Sequence, residues 1–125
     1  MSYPQDILSA FEHWNEALQS GCAKKVASLY HESAILLPTI SDLVRRSPKE
    51  IEDYFEFFLQ NKPIGHLETP NVRVFDDLAI NSGVYRFVLN GNEEVTARYT
   101  FVYQRFDNQW QIIEHHSSQM PEAFM

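Results

Sequence analysis

The sequence predicts an α+β fold, a cone in which a few N-terminal helices pack into a curved antiparallel sheet. Three observations support it. Apolar residues recur at helical spacing in the first half of the chain, strand-like runs fill the second half, and turn residues join the last of those runs. An α+β domain usually has this order, in which helices are followed by a continuous set of strands. The runs are about 10 to 13 residues long, and because long strands twist strongly, the sheet should curl around the helices and leave a mouth.

The first helix is predicted over residues 4–20. Apolar residues recur every three or four positions from Ile7 to Leu18, which is the spacing of one buried helix face. Pro4 suits the first helical turn and Gly21 suits the position just past the end.

Two more helices are predicted before the sheet, a short one over residues 23–30 and one that begins at Pro48. Ser47 and Glu50 form a capping box, in which the serine hydroxyl accepts from the glutamate amide and the glutamate side chain reaches back. The apolar residues of that helix at helical spacing are Ile51, Tyr54, Phe55, Phe58 and Leu59.

The predicted strands begin with a short one over residues 33–40 and a second, brief one over 43–46. Asn90-Gly91 is the strongest short hairpin signal, because both residues tolerate positive φ. The last three of the longer strands should therefore form a meander. The longer strands are predicted at residues 66–75, 78–89, 93–105 and 109–118.

Length and charge limit the function classes. The 125 residues fit a single domain over 1–125, and the net charge of −7 argues against nucleic-acid binding and against a polybasic membrane contact. No apolar stretch approaches the ~20 residues that span a bilayer, and the N-terminus lacks the pattern of a signal peptide. The single cysteine, Cys22, rules out an intrachain disulfide and fits a reducing compartment, so we expect a cytoplasmic protein.

The strongest candidates for a catalytic or ligand-binding role are two adjacent histidines on the last strand, His115 and His116. Neighbours on a strand face opposite sides of the sheet, so the two cannot chelate one metal together. No spaced set of ligands supplies the rest of a metal site, and we predict neither a metal nor a cofactor. Either one histidine faces a pocket and the other faces outward, or both make structural hydrogen bonds.

Arg86 lies in the middle of a strand between apolar and aromatic neighbours. A buried guanidinium there needs a partner, and its planar fork suits a ligand carboxylate. The alternative is an arginine on the solvent face of a half-exposed strand. Arg98 raises the same question, since alternation groups it with Thr100 and opposite Tyr99.

Aromatic residues at helical and strand spacing form either a pocket wall or plain core. They are Trp14, Tyr54, Phe55, Phe58, Tyr99, Phe101 and Tyr103. No serine nucleophile elbow and no glycine-rich phosphate cradle is present, which argues against those hydrolase and nucleotide-binding classes.

Five stretches of the chain carry a family resemblance: residues 16–21, 54–59, 72–75, 85–87 and 107–121. In their order and spacing they resemble the association (hub) domain of calcium/calmodulin-dependent protein kinase II. They also resemble small stand-alone bacterial relatives of the SnoaL-like and nuclear transport factor 2-like superfamily. The most specific stretch holds an aspartate turn, a tryptophan, a histidine–serine strand end and a proline.

The resemblance implies a cone, dimerisation through the outer sheet face and, in some members, ring assemblies. The hub pocket is lined by arginines and binds small carboxylates. Arg86 matches one of those arginines, while two others fall on Phe101 and Ser117. The pocket here should therefore be less basic and more aromatic, with His115 near Ser117. The chain has no kinase catalytic element, so kinase activity is excluded.

Two functions remain open at the level of sequence, beside a purely structural oligomerisation domain with a filled core. One is a homo-oligomeric association domain, at least a homodimer, that binds a small organic molecule, such as a carboxylate, in an aromatic pocket carrying one arginine. The other is a small SnoaL-like enzyme, an isomerase, dehydratase or cyclase. In that enzyme His115 would transfer protons and Tyr99 or Tyr54 would donate to an oxyanion.

Overall fold

The structure, a computed structural model, describes residues 4–39 and 41–121. In this part of the chain, six strands form one curved sheet in the order β1-β6-β5-β4-β2, with β3 also paired to β4. Neighbouring strands are antiparallel except β1 and β6, which run parallel. The strands are β1 (Tyr30–Leu37), β2 (Ile64–Leu67), β3 (Asn71–Phe75), β4 (Leu78–Leu89), β5 (Glu93–Phe106) and β6 (Gln109–Gln119).

The helices cover the concave face of the sheet. They are α1 (Pro4–Gln19), α2 (Ala23–Ala27) and α3 (Pro48–Phe58), followed by a short 3-10 turn at Leu59–Asn61. Ser47 caps α3 as predicted, since its Oγ accepts from the backbone N–H of Glu50 at 3.2 Å. The Glu50 carboxylate accepts from the backbone N–H of Arg46 at 2.8 Å.

Helix α2 is shorter than predicted, because sheet pairing takes over the chain before residue 30. The carbonyl of Leu29 accepts from the backbone N–H of Ile112 at 3.0 Å, and Tyr30 already belongs to β1. The predicted brief strand at 43–46 is reduced to one bridge between Arg45 and Leu36. Residue 40, the predicted end of the first strand, lies outside the described residues.

The strand predicted over residues 66–75 is two strands, β2 and β3, which pair with successive parts of β4. Between them the chain folds over β4, and the amides of Glu68 and Thr69 both donate to the carbonyl of Val84. Gly83 permits this approach, because the backbone oxygen of Thr69 occupies the space that a Cβ would need.

A β-bulge at Ile113 changes which residues of β6 face inward. Val102 pairs with Glu114 and Tyr103 pairs with Ile112, so Ile113 has no residue opposite it. As a result Ile112 and His115 are both buried. Under strict alternation Ile112 would share the outer face of β6 with Glu114, and the bulge turns it inward instead.

The core lies between α1, α3 and the concave face, and it is rich in aromatic residues. Trp14 is at its centre, with ring centroids 5.3 Å from Phe101, 6.4 Å from Phe55 and 6.5 Å from Tyr85. Among the described residues, no helix is both long and apolar enough to cross a membrane.

Candidate functional site

A cavity of about 120 Å³ remains between α3 and the concave face of the sheet. Trp14, Tyr85 and His115 are buried at its inner end. Its outer end has partly exposed residues, of which Val95 is 38% exposed. The remaining lining residues are Leu36, Pro38, Thr39, Tyr54, Phe55, Phe58, Phe87, Leu89, Ala97 and Ser117.

A chain of hydrogen bonds runs from the core to the wall of this cavity. The indole N–H of Trp14 donates to the Tyr30 hydroxyl at 3.2 Å, and that hydroxyl lies 2.8 Å from His115 Nδ1. On the other side of the imidazole, His115 Nε2 lies 3.2 Å from the Tyr85 hydroxyl, which donates to Ser117 Oγ at 2.7 Å. Strand β1 contributes Tyr30, β4 contributes Tyr85, and β6 contributes both His115 and Ser117.

The donor-only indole of Trp14 decides the tautomer of His115. Because the Tyr30 oxygen accepts the hydrogen bond from Trp14, the Tyr30 hydroxyl can donate its own proton in a hydrogen bond to His115 Nδ1. The Nε2–H tautomer then donates to Tyr85, and the buried polar groups of Trp14, Tyr30, His115 and Tyr85 all have partners. The opposite tautomer would leave the buried Tyr30 proton without an acceptor, at a cost of about 1–3 kcal/mol.

The ring of His115 is held in place by packing as well. It stacks on Phe101 with centroids 4.0 Å apart and planes 20° apart, and Trp14 meets it edge-on at 5.6 Å. Burial, and to a lesser extent the charge of His116, lowers the pKa of His115 to about 3. The imidazole is therefore neutral at physiological pH.

The tyrosines around the cavity are neutral too. Burial raises the pKa of Tyr54 to about 12, against a smaller opposing effect of Arg45. Burial also raises the pKa of Tyr85 well above its usual value, partly offset by the hydrogen bond to Ser117. These hydroxyls act as hydrogen-bonding groups and not as anions.

Arg86 does not reach the cavity, and its assignment to the pocket is wrong. Tyr85 and Phe87 on either side of it face inward, so alternation turns Arg86 to the outer face of β4. There its Nε donates to Glu68 at 2.8 Å, and a guanidinium nitrogen lies 3.7 Å from Glu94.

Two other predicted residues are in the core behind the cavity wall. Phe101 supports the His115 ring, and the Tyr99 hydroxyl donates to the buried Asn81 side chain at 2.7 Å. Neither lines the cavity, whereas Trp14, Tyr54, Phe55, Phe58, His115 and Ser117 do. His116 is exposed on the opposite face from His115.

Sequence patterns missed Tyr30, Thr39 and Tyr85. Tyr85 could have been found, since it alternates with Phe87 on the strand that carries Arg86. Tyr30 falls at the end of the predicted second helix, which hid its place in the sheet. No local sequence pattern distinguishes Thr39, which follows β1 and whose hydroxyl lies 2.6 Å from Ser117 Oγ on β6. Among the described residues, no group of three metal-ligating side chains is present.

Comparison with known proteins supports the predicted resemblance. Residues 3–121 match the family model of the calcium/calmodulin dependent protein kinase II association domain. A crystal structure from Xanthomonas campestris assigned to the same kind of domain is 47% identical, with a TM-score of 0.93 over 98% of this chain and 91% of that one. No curated protein matches the chain.

More distant structures share the fold. A nuclear transport factor 2-like protein of unknown function from Pseudomonas putida is 21% identical, with a TM-score of 0.81 over 91% of this chain and 84% of that one. A Parabacteroides distasonis protein assigned as a ketosteroid isomerase is 22% identical, with a TM-score of 0.81 over 97% and 90%. The predicted cone is confirmed, and the chain belongs to the calcium/calmodulin-dependent protein kinase II association domain family.

Proposed function

We propose that this chain is a self-associating domain that binds a small organic molecule in the cavity beside His115. The observation that carries the proposal is the cavity itself, an apolar space with a few polar groups at one side in an otherwise packed aromatic core. Ligand sites in proteins have this composition. An apolar space that stays empty costs stability, whereas a ligand can recover the lost contacts.

The family membership and the outer sheet face support self-association. Across four neighbouring strands, Ile35, Glu114, Val102 and Ile80 form one row on the outer face. Three of these four are apolar and only half-buried. We propose that this row, called here the outer row, lies in a homodimer interface, where a second copy would bury it.

Binding is favoured over proton transfer. Both ring nitrogens of His115 are engaged by tyrosines, and a base with a pKa near 3 is a weak proton acceptor at neutral pH. The cavity offers fixed hydrogen-bonding groups and an apolar wall, which orient a molecule without reacting with it. The cytoplasmic location remains a prediction from the sequence.

A plug at the mouth of the cavity tests the binding proposal. Val95 lines the outer end, and its neighbour Thr96 is exposed on the other face of β5. Toluene, followed through Trp14 fluorescence, is expected to bind the wild type and Thr96→Phe alike. Val95→Phe should weaken it tenfold or more. Equal binding to both variants, or none to the wild type, would contradict the proposal.

A further inference from the structure

The cavity has no charged side chain among the described residues that line it. Arg86 is on the outer face with Glu68. Arg45, the guanidinium nearest Tyr54, lies 5.5 Å from that ring and donates to Ser41 Oγ at 3.1 Å. A carboxylate placed inside would lose its hydration without an ion pair in return, which is strongly unfavourable.

The size of the cavity limits the ligand. A cavity of about 150 Å³ lined by apolar side chains holds one benzene ring. The space here is of the same order, about 120 Å³, and opens at the Val95 end. A single six-membered ring with a short substituent fits these dimensions.

The hydrogen-bond chain ends at the Ser117–Thr39 pair, where one hydroxyl proton has no acceptor among the described residues; it is called here the spare proton. The Tyr85 hydroxyl accepts a hydrogen bond from His115 Nε2–H and donates its own proton in a hydrogen bond to Ser117 Oγ. Ser117 and Thr39 share one hydrogen bond of 2.6 Å, yet together they carry two hydroxyl protons. Whichever donates to the other, one proton remains, and within residues 4–39 and 41–121 neither hydroxyl has another acceptor.

We propose that the ligand is an uncharged, ring-sized molecule with one acceptor oxygen, which takes the spare proton of the Ser117–Thr39 hydroxyl pair. This inference rests on the cavity being a binding site, as proposed above. Both residues line the cavity, so the donor is at its wall. The spare proton supplies orientation, and the aromatic wall supplies contact area.

Three probes of similar shape test the ligand class. Acetophenone is a ring with a carbonyl, ethylbenzene lacks the acceptor, and benzoate carries a charge. Titration followed through Trp14 fluorescence at pH 7.5 should give an affinity for acetophenone about fivefold above ethylbenzene, the size expected of one neutral hydrogen bond. Benzoate should bind at least tenfold more weakly than ethylbenzene.

A double variant, Thr39→Val with Ser117→Ala, removes the hydroxyl pair. The last donor is then Tyr85, one hydrogen bond farther along the chain, so the ratio of acetophenone to ethylbenzene affinity, measured within the variant, should fall toward parity. Ser118→Ala is the matched control, because residue 118 pairs with Arg98 on the outer face. It should keep the wild-type ratio.

The outcomes separate this inference from the proposed function. If ethylbenzene and acetophenone bind and benzoate binds as tightly, the ligand class is wrong while the binding site stands. An unchanged acetophenone advantage in the double variant would also overturn the role of the hydroxyl pair. If none of the three probes binds the wild type, the proposed binding function fails, and this inference with it.

Discussion

His115 is the residue on which the polar part of the core depends. Its two ring nitrogens link hydroxyls from β1 and β4, and its ring stacks on Phe101 from β5. Since all these groups are buried, each loses its hydration on folding and relies on the others for hydrogen bonds. Any change that charges the imidazole therefore acts against the folded state.

Acid should destabilise the protein through this one residue. The pKa of His115 is lowered to about 3, while in the unfolded chain it returns to about 6.5. The unfolded state therefore takes up a proton first, and this part of the stability is complete above pH 6.5 and is lost as pH falls toward 3. Between pH 7.5 and 5 the free energy of unfolding should drop by about 2 kcal/mol more in the wild type than in His115→Gln.

Urea unfolding at the two pH values measures this difference. His66→Gln, which replaces an exposed histidine of β2, should keep the wild-type dependence. If His115→Gln loses as much stability as the wild type, His115 is not the buried neutral group described above.

Residue identity predicted part of this site. Two adjacent histidines on the last strand led to His115, and helical spacing led to Trp14 and Tyr54. The sequence did not determine which face of β4 carries Arg86. The burial of its neighbours Tyr85 and Phe87 places Arg86 on the outer face. Thr39 joins the site through packing across two strands distant in sequence, for which local patterns carry no signal.

At the scale of elements, two irregularities shape the sheet. The bulge at Ile113 allows both Ile112 and His115 to face inward. The crossing of Thr69 over Gly83 ends β2 and starts β3. Element types and most bounds followed from periodicity and turn residues, whereas both irregularities depend on contacts between strands and so could not be predicted.

Replacing Gly83 should disturb the crossing. In Gly83→Ala the new methyl group would collide with the backbone oxygen of Thr69, and a backbone atom cannot rotate away. We expect a loss of at least about 2 kcal/mol in the free energy of unfolding, as for other overpacked sites. Urea unfolding measures it, with Ser82→Ala as the control. A variant as stable as the control would show that the crossing is looser than described.

At the scale of the whole molecule, the sheet has an inner face that lines the cavity and an outer face whose apolar side chains are only half-buried in the part of the chain that the structure describes. The outer row crosses four strands of that face and carries three apolar side chains beside Glu114. If a second copy covers it, dimerisation and ligand binding use opposite faces of the same strands. Each can then be changed by mutation without direct contact with the other.

A charge in the outer row should separate the copies. Val102→Lys puts an ammonium opposite Glu114 within the same chain, a cross-strand pair that preserves the fold. In a dimer the charge would be buried, so we expect size-exclusion chromatography with light scattering to give a monomer for this variant and a dimer for the wild type. Gln60→Lys, on the exposed turn after α3, should stay dimeric. A wild type that is itself monomeric would refute the interface.

The central claim is that the space beside His115 is a binding site whose polar end is the Ser117–Thr39 pair. A crystal structure of the wild type soaked with acetophenone tests it most directly. The account predicts the ring between Trp14 and Phe58, with the ketone oxygen about 3 Å from Ser117 Oγ or Thr39 Oγ1. A cavity filled by rearranged side chains, or one that stays empty at saturating ketone, would contradict it.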